Sequence, residues 1–167
     1  MKRMMSVMLA AVLALSLAAC GKTDNGGSAD QSIDLKEFYN TLYQGDDAPA
    51  MEELPEDMLE DTYPGLTAIE RKQTVAYAAM ISAVAAEVAM VEVANADDVE
   101  KVKEILQARI DYMVGDGNGP GGAWYPETME EWENNSEIVV KGNYVCLFVG
   151  ENKDDMVSAF NSYGESK

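Results

Sequence analysis

The stretch from Asp116 to Glu127, DGNGPGGAWYPE, is twelve residues long and has the outline of a loop that wraps a hard cation in oxygen. Asp116 holds its first place, Asn118 the third, Gly121 the sixth, Gly122 the seventh and Glu127 the twelfth. Calcium takes about six to eight oxygens, and carboxylates, amides and backbone carbonyls at this spacing can supply them. Pro120 at the fifth place and Trp124 at the ninth bring no side-chain oxygen, so a glycine-rich connector is the simpler reading of the same letters.

The same region carries Trp124, Tyr125 and Trp132 within nine residues. Exposed, such rings stack on sugars or grip a partner protein. Folded back, they cap a core edge, and the spacing of Met129 and Trp132 favours this for Trp132 while leaving Trp124 open. Catalytic constellations are scarce by comparison. The chain has no histidine, which removes Ser-His-Asp and Cys-His arrangements and zinc sites of the H-E-x-x-H type. Cys146 lies in NYVCLFVG, a strand-like run where a lone thiol reads as a small core hydrophobe. Hydrolysis by two carboxylates stays as an alternative, and it needs two inward-facing acids about 5 to 10 Å apart. Thirty Asp and Glu residues give no means of choosing such a pair.

The elements that must position these residues are legible from periodicity. Leu35, Phe38, Tyr39 and Leu42 predict a first helix, with Asp34 and Glu37 as a capping box. A short helix follows in MEELPEDMLEDTYPGL, with Pro55 at its start and Met58 and Leu59 on its buried side. Valines and aromatics predict two antiparallel strands over 73–81 and 86–94, turning at Ser82-Ala83. Val99, Val102, Leu106, Ile110 and Met113 then make the apolar stripe of a helix, capped by Asp97 and Glu100. After the glycine-rich loop come a short helix started by Thr128 and Glu131, a hairpin turning over Lys141-Gly142-Asn143, and a last helix through Met156, Val157, Phe160 and Tyr163. The order predicts an α+β fold: a four-stranded antiparallel sheet in two ββα halves, helices on one face, and one or two helices in front. A faint likeness of DDVEKV to DDMVSA hints that the halves repeat.

The beginning of the chain concerns location. Lys2-Arg3, an apolar run from Met4 to Leu17 and the small pair Ala18-Ala19 predict a signal peptide over residues 1–19. Leu17-Ala18-Ala19-Cys20 resembles the lipobox of bacterial lipoproteins, which implies cleavage before Cys20 and covalent diacylglycerol on its sulfur. A Cys20 so used cannot pair with Cys146. Two acyl chains anchor a protein stably where one does not. Residues 20–33 read as a polar tether with a mean reach of roughly 18 Å, ahead of a single domain over 34–163. The expected place is the extracytoplasmic face of the cell membrane. A net charge of −18, more negative still without Lys2 and Arg3, argues against nucleic acid as a partner and leaves attachment to the lipid.

The runs VAMVEVANADDVEKVKEILQARIDYM and YPETMEEWENNSEIVVKGNYVCLFVGENKDDMVSAF, behind a lipobox, resemble the extracytoplasmic lipoproteins of Gram-positive bacteria grouped as domain of unknown function 4358 (DUF4358). The likeness spans roughly 34–163 and rests on the V-E-V strand before an acid-capped helix, the Tyr-Pro helix start and V-K-G-N-Y-V at the hairpin. The glycine-rich segment 115–122 lies outside that pattern. The resemblance implies a fold and a location, and no activity, cofactor or catalytic residue. A non-catalytic module that binds an envelope protein or glycan through 115–132 is the expected function.

Overall fold

The computed structural model describes residues 32–43, 49–118 and 121–164. The expected signal segment, Cys20 and the tether as far as residue 31 lie outside the described residues, as do Gly119 and Pro120.

The fold is α+β, built on an antiparallel sheet of five strands rather than the four expected. The strands are β1 (Met51–Glu53), β2 (Arg71–Ala79), β3 (Glu87–Val93), β4 (Ser136–Lys141) and β5 (Tyr144–Val149), in the order β1-β2-β3-β5-β4. The helices are α1 (Leu35–Leu42), α2 (Glu56–Thr62), α3 (Val99–Val114), α4 (Pro126–Asn134) and α5 (Lys153–Ser162). Three-residue β1, with two of its residues glutamates, is too short to show a two-residue period, and it precedes the short helix that the sequence predicts from Pro55. Its edge position is held by Tyr77, whose hydroxyl donates to Glu53 (2.9 Å), and by the Lys36–Glu53 pair.

Helices cover both faces of the sheet, not one. Every residue of β3 and β5 is buried, which a sheet wet on one side cannot achieve. Alternate residues divide accordingly: Ala89, Val91, Val93, Val145, Leu147 and Val149 pack toward α2, α3 and α4. Val88, Met90, Cys146 and Phe148 face the other way, toward Leu35 and Phe38 of α1 and Met156 and Phe160 of α5. Phe38 meets Phe160 edge-on at 5.3 Å. The hinted repeat fails for the same reason. Two ββα copies related by a two-fold axis normal to the sheet would put both helices on one face, whereas α3 and α5 lie on opposite faces.

Local signals account for most helix ends. The Asp34 carboxylate accepts from the Glu37 N–H (2.8 Å), forming the expected N-cap of α1. For α3 the expected box does not form. A 3-10 turn at Ala96–Asp98 leads in, and Asp98 makes no side-chain cap bond. Pro126, not Thr128, opens α4, and Thr128 is buried. Of the two residues expected inside α2, Leu59 is buried and Met58 exposed. Gly142 (φ 59°) starts the two-residue turn between β4 and β5, where a β-hairpin needs positive φ. Lys141 then reaches α5 and donates to the carbonyls of Asn161 (2.7 Å) and Tyr163 (3.1 Å), neutralising the helix's negative end.

The chain arrives at the end of the sheet that carries Arg71, Val93 and Tyr144. The Ile33 N–H donates to the Tyr144 hydroxyl (2.9 Å), its carbonyl accepts from Gln73 (2.8 Å), and the Gln73 side-chain carbonyl accepts from Leu35 N–H (3.0 Å).

Burial pushes the Cys146 thiol well above its ordinary pKa. An acid with a raised native pKa favours the native state fully below its unfolded value of about 8.5 and loses that contribution as pH rises toward the native value. Cys146 is therefore expected to resist iodoacetamide at pH 8 and to react at once in urea, with global stability falling as pH climbs past 9. Rapid labelling of Cys146 in the native chain, located on its own peptide by mass spectrometry, would contradict this packing.

Candidate functional site

Glu87 is the charged residue at the start of β3, only 1% exposed, in a run of otherwise apolar partners on the α3 side. Burying a carboxylate is tolerated only when it is paired and hydrogen-bonded. Arg109 on α3 supplies two bonds, Nε to Oε1 (3.0 Å) and Nη2 to Oε2 (2.7 Å). Tyr63, just past α2, donates its hydroxyl to Oε1 (2.7 Å). Burial and then the adjoining Glu87 charge hold the Tyr63 phenol well above its ordinary pKa, so it stays a donor. Burial weighs against the Arg109 cation, but the bonds to Glu87 and its charge overcome this and leave the guanidinium pKa raised.

The guanidinium also lies over the rings of Trp132 (5.5 Å) and Tyr112 (6.0 Å). Trp132 is 2% exposed and belongs to the core, with its indole N–H lacking an acceptor among the described residues. Tyr112, by contrast, is 64% exposed. It was not among the residues singled out from sequence, because on the α3 stripe it falls one residue short of Met113.

From α3 the chain turns through Gly115 (φ 79°) and doubles back. Gly122 N–H donates to the Tyr112 carbonyl (2.8 Å) and Ala123 N–H to that of Met113 (3.1 Å), with Ala123 fully buried. A Cβ on Gly121 would come 2.3 Å from the Met113 carbonyl oxygen, so this close return requires glycine there, and one on Gly122 would come 2.3 Å from the Tyr112 ring and displace it. One residue later the Tyr125 N–H donates to the Ala123 carbonyl (2.7 Å), closing a γ-turn with Trp124 at its apex. Trp124 has φ 66° and is 64% exposed, and Tyr125 is 47% exposed. A bulky residue there carries about 1–3 kcal/mol of backbone strain, and a largely hydrated ring returns little of it.

Of the residues expected in a cation loop, the structure joins Asp116 and Asn118. The Asp116 carboxylate accepts the Asn118 N–H (3.0 Å), and that bond lowers its pKa. Glu127 lies in the first turn of α4, and Gly122 N–H is turned to Tyr112. Among the described residues no three acids, cysteines or histidines converge as a metal site.

Because Arg109 must meet Glu87, the C-terminal half of α3 and the aromatic turn after it lie at the sheet end that carries Ala79, Glu87 and Val149. The chain from residue 32 arrives at the other end, roughly 20 Å away along β3.

With this geometry, the relationship to known families can be placed. Residues 43–150 match the family described as Domain of unknown function (DUF4358), and the chain belongs to that family. The match covers all five strands with α2, α3 and α4, and α1 and α5 fall outside it. No curated protein and no solved structure matches the chain.

Arg109→Met is expected to cost about 3–5 kcal/mol in urea unfolding, since it leaves Glu87 buried without its cation, whereas Glu87→Leu combined with Arg109→Met is expected to cost less, about 1–3 kcal/mol, because only the buried Tyr63 hydroxyl then lacks its acceptor. Equal losses in the single and double variants would show that packing, not the charge pair, accounts for the effect. In the same assay Trp132→Ala should cost about 3–5 kcal/mol. Trp124→Gly should stay within about 1 kcal/mol of the parent, because relief of strain offsets glycine's entropy.

Proposed function

We propose that this protein is a non-catalytic binding module at the cell envelope, held on the outer face of the membrane by diacylglycerol on Cys20, which grips an envelope protein or glycan through Trp124 and Tyr125. The observation that carries this reading is Trp124 itself. It stands exposed at the apex of a strained turn where folding gains little from a tryptophan. Exposed aromatic rings on a well-supported backbone are what recognition surfaces use, since they bring large contact area with few rotors to immobilise. Tyr112, packed beside Gly122, extends the same surface. Trp132 serves it from below, by fixing Arg109 and α4.

The position of the surface fits an anchored protein. A tether from Cys20 would join the folded part at Ile33, at one end of the sheet, and the aromatic turn lies at the other, so the anchor leaves the rings free to meet a partner. An amphipathic membrane-binding face would lie at the tethered end and carry cations, whereas this chain is strongly acidic. Hydrolysis by paired carboxylates draws no support from the buried acids. Glu87 and Glu92 sit on opposite faces of the sheet, and Glu92 is held by Lys72 (3.0 Å) and Gln73 (2.6 Å).

Two measurements test the proposal. Cys20→Ser is expected to release the protein from membranes and to remove the acyl mass from its N-terminal peptide. Trp124→Ala with Tyr125→Ala is expected to lose the partners recovered by cross-linking in intact envelopes, with thermal unfolding unchanged. Recovery of the same partners by the double variant would overturn the aromatic part of the reading, and an unacylated Cys20 would overturn the anchor.

A further inference from the structure

A second surface lies on the α2 side of α3 and goes beyond the aromatic turn. The 3-10 turn Leu66–Ala68 and the residues around it stand off from α3 and leave a groove of about 1070 Å³. One wall is α3, from Asp98 to Tyr112, with Lys101, Ile105 and Ala108 between them at three- and four-residue spacing. At 1.5 Å per residue that wall is about 21 Å long. The floor is apolar. Ile105 lies across from Gly65 at ordinary packing distance, its Cδ1 3.8 Å from where a Cβ on Gly65 would stand, and Ile69 and Ala68 continue the opposite wall.

The rim is acidic and unbalanced. Asp61, Glu70, Asp98 and Glu104 line it against Lys101 and Arg109. Both cations are already engaged, Lys101 by Asp98 (2.6 Å) and Arg109 by Glu87 (2.7 Å). Among the described residues no salt bridge reaches Asp61, Glu70 or Glu104. Three uncompensated carboxylates around an apolar trough call for a ligand with cationic groups on an apolar stem or beside apolar side chains.

We infer that this groove binds an extended segment of a partner protein, about six residues long, in which lysine or arginine alternates with aliphatic residues. An extended chain rises about 3.3 Å per residue, so six residues match the length of the α3 wall. Alternation places aliphatic side chains on the Ile69–Ile105 floor and cations at the rim.

The test uses the full-length protein and a fluorescein-labelled hexapeptide of alternating lysine and leucine, read by anisotropy at about 0.15 M salt, where long-range attraction is screened. Ala108→Trp, which fills the trough from an exposed position, and Glu104→Lys, which reverses the rim, are each expected to weaken binding by about tenfold or more. Asp155→Lys on α5, across the sheet, makes the same change in total charge and is expected to shift affinity less than about twofold. A lysine–serine hexapeptide should bind at least about tenfold more weakly than the lysine–leucine one. Equal losses for Glu104→Lys and Asp155→Lys would reduce the effect to bulk charge and overturn the inference. So would indifference to Ala108→Trp, or equal binding of the serine peptide. Displacement of the peptide by spermine at lower concentration would reassign the groove to a small polyamine. Glu104→Lys leaves Trp124, Tyr125 and Tyr112 in place, so its effect on the peptide separates the groove from the aromatic surface, whereas Ala108→Trp lies one helical turn from the shared Tyr112.

Discussion

The arrangement depends on one carboxylate that cannot be left alone. Glu87 begins the strand that runs through the middle of the sheet, with its side chain turned into the apolar layer beneath α2, α3 and α4. Such a charge is several kcal/mol uphill unless it is paired, so any packing that fails to bring Arg109 and Tyr63 to it is disfavoured by more than most single contacts contribute. This sets the axial position of α3 against β3. It also draws the end of α2 to the same point, since Tyr63 follows that helix directly. The guanidinium then offers its face to Trp132, which places α4 and, through it, the loop that carries Trp124. An ion pair of this kind adds little net stability over an apolar substitute.

Two surfaces follow from that tie. The groove is the gap left between α3 and the 3-10 turn once Glu87 holds one end of each wall. The aromatic turn is the consequence of the chain doubling back on α3 through Gly121 and Gly122, whose missing side chains allow the approach. Tyr112 belongs to both, lining the groove on one side and lying against Gly122 on the other. The opposite face of the sheet has a plainer role. There α1 and α5 close over Met90, Cys146 and Phe148 through an aromatic cluster of Phe38, Phe148, Phe160 and Tyr163. These two helices lie outside the stretch matched by the family, yet without them half of the two central strands would be bare.

The sequence by itself determined what depends on near neighbours. Helical spacing located α1, α3 and α5, alternation and β-branching located both hairpins, and the missing histidine limited the chemistry, because each signal lies within a few residues of what it specifies. Only the tertiary structure decided which side each helix covers. The apolar run of β5 and the shorter run Val88 to Val91 inside β3 are the available sign of a sheet buried on both faces, but a run says that a strand is covered without saying by what. Likewise, Trp124 and Trp132 are the same residue type in the same loop region, and one is in water while the other is in the core. Helical spacing with Met129 points Trp132 inward and leaves Trp124 open, and inside the core Trp132 meets the Arg109 guanidinium that pairs with Glu87, 22 residues away in the chain. A contact at that separation leaves no local pattern, since its energy comes from removing two charges from water together, and that happens only when the whole layer closes.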